Sequence, residues 1–104
     1  MVITKHAKKR MKQRCGVNKK SMDRIAEIAY ENGLKHGELT GNLKKYVDGL
    51  YLKHKAGNQI RLYGDKVYIF HDKRLITVFQ IPNNLMKEVT KLRKERDKKV
   101  KDYK

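Results

Sequence analysis

One cysteine, Cys15, can close no internal disulfide and build no cysteine metal cluster, and a lone thiol suits a reducing compartment such as the cytoplasm. Apolar runs are short as well. None approaches the roughly 20 residues that cross a bilayer, and MVITKHAKKR has no apolar stretch of the kind a secretory signal carries. No membrane partner is expected. Acidic side chains are few, 11 in 104 residues, and they are scattered. Asp23, Glu27 and Glu31 read as charges on one helix face, and no carboxylate or His-Cys set has the spacing of a two-metal nuclease or a zinc site. Neither a Walker loop nor a dinucleotide glycine pattern occurs, which argues against ATP or NAD. The expectation is a protein without metal or cofactor.

What is abundant is positive charge. Lysine and arginine number 27, leaving a formal charge of +16 with histidine neutral. Such a field concentrates phosphate polymers at the surface and favours RNA, then DNA, as partner. The same charge would let the chain occupy a site meant for nucleic acid on a host or defence protein. The length fits a single domain, residues 1–104, with one modest core.

Hydrophobic spacing predicts an α+β fold. Thr4 can cap a helix from Lys5, with Ala7, Met11 and Cys15 as a narrow apolar stripe and Gly16 as its end. His6, Arg10 and Arg14 form a second stripe beside it. A second helix runs from about Lys19 to Asn32, capped by Asn18 or Ser21, with Met22, Ile25, Ala26 and Ala29 inward and Asn32-Gly33 as the stop. Leu43, Tyr46, Val47, Leu50, Tyr51 and His54 fit a third helix; the stretch from Tyr46 to Leu52 also fits a strand, and the helix is the favoured reading. From Gln59 the period changes. IRLY, KVYIFH and LITVFQI, separated by Gly64-Asp65 and Asp72-Lys73, predict a small antiparallel sheet of about three or four strands. Alternation puts Leu75, Thr77, Phe79 and Ile81 on one side of the last strand and Ile76 and Val78 on the other. The N-terminal helices can cover this sheet. After Pro82, Asn83 or Asn84 caps a basic C-terminal helix, and residues 93–104 read as a frayed or solvated tail.

Several residues carry chemistry suited to phosphate. His6 can exchange a proton near neutral pH, and Arg10 and Arg14, one and two turns on, present fixed donors on the same helix surface. Lys5, Lys8, Lys9 and Lys12 add charge to that helix. Thr77 puts a hydroxyl on an otherwise apolar strand face, and burial there requires a hydrogen-bond partner. His71, at a strand end beside Lys73 and Arg74, is a further proton-transfer candidate. Arg61 and Tyr63 alternate with Ile60 and Leu62, and would line a polar groove with Tyr68 if the register puts them on one face. His54 turns toward the Tyr46–Leu50 side of its helix, at the edge of the core, and His36 falls in a surface connection.

The opening Ile-Thr-x-His-Ala-x-x-Arg-Met-x-x-Arg, from Ile3 to Arg14, and the closing Leu-Ile-Thr-Val, from Leu75 to Val78, carry a family resemblance. The chain resembles small phage- and mobile-element-associated members of the barnase–EndoU–colicin–RelE-like nuclease superfamily. That resemblance implies a ribonuclease, often toxin-like, that cuts without a bound metal. It implicates His6, Arg10 and Arg14, with Thr77 as the polar residue of the closing strand. His71 and Tyr63 stand outside the matched pattern. In the corresponding reaction His6 is the base, Arg10 stabilises phosphoryl charge, Arg14 positions the strand and His71 is the acid. The alternatives are a non-catalytic RNA- or DNA-binding protein and a phage-encoded inhibitor of a nucleic-acid-processing enzyme.

Overall fold

The computed structural model describes residues 1–102, with side chains as far as Lys98. Thr4 starts the first helix: its backbone is extended and its Oγ1 accepts from the Ala7 N–H at 3.1 Å, opening α1 over Lys5–Cys15. Gly16 closes α1 at φ 63°, in the left-handed region where a side chain is strained. Asn18, not Ser21, caps α2 (Lys19–Asn32), accepting from the Ser21 N–H at 3.1 Å. Gly33 ends α2 for a different reason. Its φ is an ordinary −65°, but a Cβ there would lie 2.5 Å from the Ala29 carbonyl oxygen and 2.9 Å from Arg61 Cβ. Only glycine lets the helix end approach the sheet this closely.

The third apolar segment is helical, α3 over Gly41–Lys53. Thr40 gives it no side-chain cap; Glu88 accepts from the Leu43 N–H at 3.0 Å instead, pinning the start of α3 to the last helix. That helix, α4, spans Met86–Asp102 and follows a tight turn over Asn83–Leu85. The hairpin strands are β3 (Gln59–Tyr63), β4 (Lys66–His71) and β5 (Arg74–Gln80). Two short strands extend the expected sheet: β1 (Val2–Ile3) pairs parallel with β5, and β2 (Leu34–Lys35) pairs antiparallel with β3. The order is β1-β5-β4-β3-β2. Two-residue strands are too short to show an alternating pattern, so sequence periodicity gives no sign of them.

Helices cover both faces of this sheet. On one side α1 and α2 pack Ala7, Met11, Met22, Ala26 and Ala29 against Tyr68, Phe70, Leu75 and Val78. On the other, Leu43, Val47 and Leu50 of α3 and Val89 of α4 meet Ile60, Leu62, Val67 and Ile69. The molecule is therefore α+β, as the hydrophobic period implies, with helices on both faces of the sheet. No helix among the described residues is long and apolar enough to cross a membrane.

Simple alternation along β5 fails at one point. Ile69 pairs with Thr77 and Phe70 with Leu75, so Ile76 is bulged out of the ladder. Leu75 consequently shares the α1–α2 face with Val78, while Phe79 and Ile81 pack with the opposite core. Leu75 is thus not on the Thr77 side, as the period of two implies. The bulge also anchors α1: the Thr4 N–H donates to the Leu75 carbonyl at 3.1 Å, and its hydroxyl donates to the Ile76 carbonyl at 3.2 Å. Of the expected solvated tail, residues 93–104, the helix continues to Asp102 and the first turn is held. Arg93 sits 5.9 Å over the Tyr63 ring and Arg96 lies 3.9 Å from Glu38. Side chains beyond Lys98 lie outside the described residues.

Candidate functional site

Because the β5 bulge holds the start of α1, the His6, Arg10 and Arg14 stripe faces α3 across the sheet margin. These three side chains line a recess of about 370 Å³ together with Tyr46, Leu50, Lys53 and His54 of α3 and Thr77 and Phe79 of β5. Among the described residues its fixed charges are all positive, from Arg10, Arg14 and Lys53, and no carboxylate lines it. A recess so charged favours anions over cations.

Within the recess Arg10 organises its neighbours. Its Nε–H donates to His6 Nε2 at 3.5 Å, and its Nη1 donates to Gln13 Oε1 at 3.2 Å. In that contact His6 Nε2 is the acceptor. Thr77 is 8% exposed, yet no fully buried side-chain polar atom among the described residues lacks a partner. Thr77 lines the recess next to Phe79. Burial pushes the Tyr46 phenol above its ordinary pKa, which keeps it protonated and available as a donor. His54 stacks on Phe79, with ring centroids 5.7 Å apart and planes inclined by 26°.

Other candidates from the sequence lie elsewhere. His71 is exposed at the end of β4; its Nδ1 is 2.8 Å from the Ala56 carbonyl oxygen, which makes it the donor there. Next to it, Asp72 in the left-handed region is braced by Asn58, whose Oδ1 accepts from the Asp72 N–H at 2.8 Å. His71 thus belongs to a turn that ties down the α3–β3 connection, and it does not line the recess. Lys73 and Arg74 are exposed at the same turn. Lys8, Lys9 and Lys12 point away from the His6 stripe, around a second cleft with Val17, Asn18, Lys19 and Met22. Lys5 is exposed on the first turn of α1.

The register does place Arg61, Tyr63 and Tyr68 on one face, since Arg61 pairs with Tyr68 and Tyr63 with Lys66. That face is covered by α2, however. Arg61 is only 6% exposed, and Tyr68 3%. The Arg61 guanidinium donates to the Tyr30 carbonyl at 3.0 Å, to Gln59 Oε1 at 2.9 Å and to its neighbour's carbonyl at 3.2 Å, and it lies 4.9 Å over the Tyr30 ring. Its Nε and Nη1 donors are engaged inside the protein. Arg61→Met is accordingly expected to lower unfolding free energy by about 2 kcal/mol, read from denaturant titration, while leaving RNA affinity of the folded protein unchanged.

Sequence reasoning passed over Lys53 and Tyr46 as site residues and treated His54 only as a core-edge histidine. The one available signal was that Tyr46, Leu50 and His54 share a helical stripe; nothing local tells that this stripe meets α1. No three His, Cys, Asp or Glu side chains converge among the described residues. No family model matches this chain, and neither curated proteins nor solved structures give a significant match.

Proposed function

We propose that this protein is a metal-independent, toxin-like endoribonuclease that cleaves RNA by transesterification through the 2′-hydroxyl, acting in the cytoplasm. The observation that carries this reading is the convergence of His6, Arg10, Arg14 and Thr77, drawn from opposite ends of the chain, on one cationic recess. It is also where the resemblance to the phage-associated branch of the barnase–EndoU–colicin–RelE-like superfamily puts its functional positions.

A phosphodiester entering the recess competes for Arg10. As the guanidinium turns to the phosphate oxygens, His6 Nε2 loses its hydrogen-bond donor and is free to take the proton of the 2′-hydroxyl. Arg10 then opposes the charge that gathers on phosphorus-bound oxygens, and Arg14 holds the neighbouring phosphate. The Thr77 hydroxyl offers a further hydrogen bond from β5. The 2′-oxygen bonds to phosphorus, the bond to the 5′-oxygen breaks, and the products are a 2′,3′-cyclic phosphate and a 5′-hydroxyl end.

The experiment is a time course on end-labelled RNA in EDTA, beside the same strand with a 2′-deoxy residue at the cleaved position. Cleavage of the first, with cyclic-phosphate ends, and none of the second is the expected outcome. Cutting that requires a divalent cation, or that proceeds equally at the deoxy position, rules the mechanism out. Intact RNA retained in a salt-sensitive complex would instead favour the non-catalytic binder, for which the lysines around Lys12 provide a separate cationic surface. Intact RNA together with capture of a protein from nuclease-treated extract would favour the inhibitor.

A further inference from the structure

We propose that His54 is the general acid of this site, protonating the 5′-oxygen as it departs; the inference rests on the ribonuclease reading above. In-line displacement at phosphorus sets the entering and leaving oxygens on opposite sides, so the base and the acid must approach from different walls. His6 comes from a helix packed on one face of the sheet, and His54 from the end of a helix packed on the other. Both line the same recess.

Its other occupants are poorly suited to the task. Lys53, Arg10 and Arg14 hold their protons far more tightly than an imidazolium does. Tyr46 is made a weaker acid by burial. The Thr77 hydroxyl does not ionise in water. Imidazole is the side chain whose ordinary proton affinity matches neutral solution, and apart from His6 the recess has one.

His54 is also held where an acid should be. As the C-terminal cap of α3 its N–H donates to the Leu50 carbonyl at 2.8 Å, and its own carbonyl accepts from the Gly57 N–H at 3.0 Å. Its ring lies against Phe79 and makes no hydrogen bond to any described residue, so backbone and stacking fix its position while its nitrogens stay open. In the step itself, neutral His6 takes the 2′-hydroxyl proton as the 2′-oxygen bonds to phosphorus. Protonated His54 gives its proton to the 5′-oxygen as that bond breaks. The two rings end with exchanged protonation states and are reset by proton exchange with water.

A substrate whose leaving 5′-oxygen is replaced by sulfur tests the role, because a thiolate leaves without being protonated. His54→Gln and His54→Ala are each expected to slow cleavage of ordinary RNA about a hundredfold, and to cleave the 5′-thio strand within about threefold of the unaltered protein. That rescue also shows the variants are folded. His6→Ala, lacking the base, should be slow on both strands. Equal losses on the two substrates would make His54 a positioning residue and overturn the assignment while leaving the ribonuclease reading intact. If the unaltered protein cuts neither strand, the ribonuclease reading fails and the acid assignment with it.

Discussion

His6→Ala is expected to slow RNA cleavage by about a thousandfold, the range lost when a general base is removed, while RNA affinity changes less than about twofold. The asymmetry follows from charge. On the proposed reading the phosphates are held by Arg10, Arg14 and Lys53, which line the recess with His6 and are untouched by the substitution. The imidazole is exposed on α1 and supports no core residue, so the fold should be unaffected. Lys8→Ala with Lys9→Ala is the contrasting pair: these side chains lie on the far side of α1, and their loss should weaken binding and flatten its salt dependence without touching the single-turnover rate of bound RNA. Filter binding and single-turnover kinetics read the two effects separately. Parallel losses of binding and cleavage in His6→Ala would show that the imidazole merely helps to hold the strand.

The largest stability effect is expected at Phe70. It is wholly buried on β4, in the core under α1 and α2, and its ring meets the edge of Tyr30 with centroids 5.0 Å apart. Phe70→Ala removes that contact and leaves a cavity between two layers that cannot close independently, because α1 is tied to β5 at the bulge and α2 to β3 by the Arg61 guanidinium on the Tyr30 carbonyl. The expected cost is about 4 kcal/mol, a large part of the total stability of a domain this size. The midpoint of thermal unfolding should fall by about 20 °C, whereas Phe70→Leu, which refills most of the space, should lower it far less. A fall of only a few degrees in the alanine variant would mean that the helices settle onto the sheet and the layers are not rigidly positioned.

Much of this molecule is written in local pattern. Thr4, Gly16 and Asn18 mark the helix boundaries they occupy, since a cap needs only a side-chain oxygen or a left-handed backbone at the right place. The stripe His6-Arg10-Arg14 follows from helical geometry alone, and so does the stripe Tyr46-Leu50-His54. Residue spacing likewise predicts the three long strands and the turns between them. The charge that favours a polyanionic partner is a matter of counting.

What spacing could not supply was which stripe meets which. The bulge at Ile76 reverses the expected side of Leu75 relative to Thr77, and a bulge is a property of two paired strands rather than of one. The burial of Arg61 beneath α2, and the tie between His71 and the Ala56 carbonyl, likewise depend on elements far apart in the chain. Sequence by itself determined the helices, the hairpin strands and a cationic helix bearing one histidine. Tertiary structure decided that α1 and α3 line a common recess, that His54 borders it and that His71 does not. The physical reason is that a period describes one element's faces, whereas a site is made where faces of separate elements are packed together.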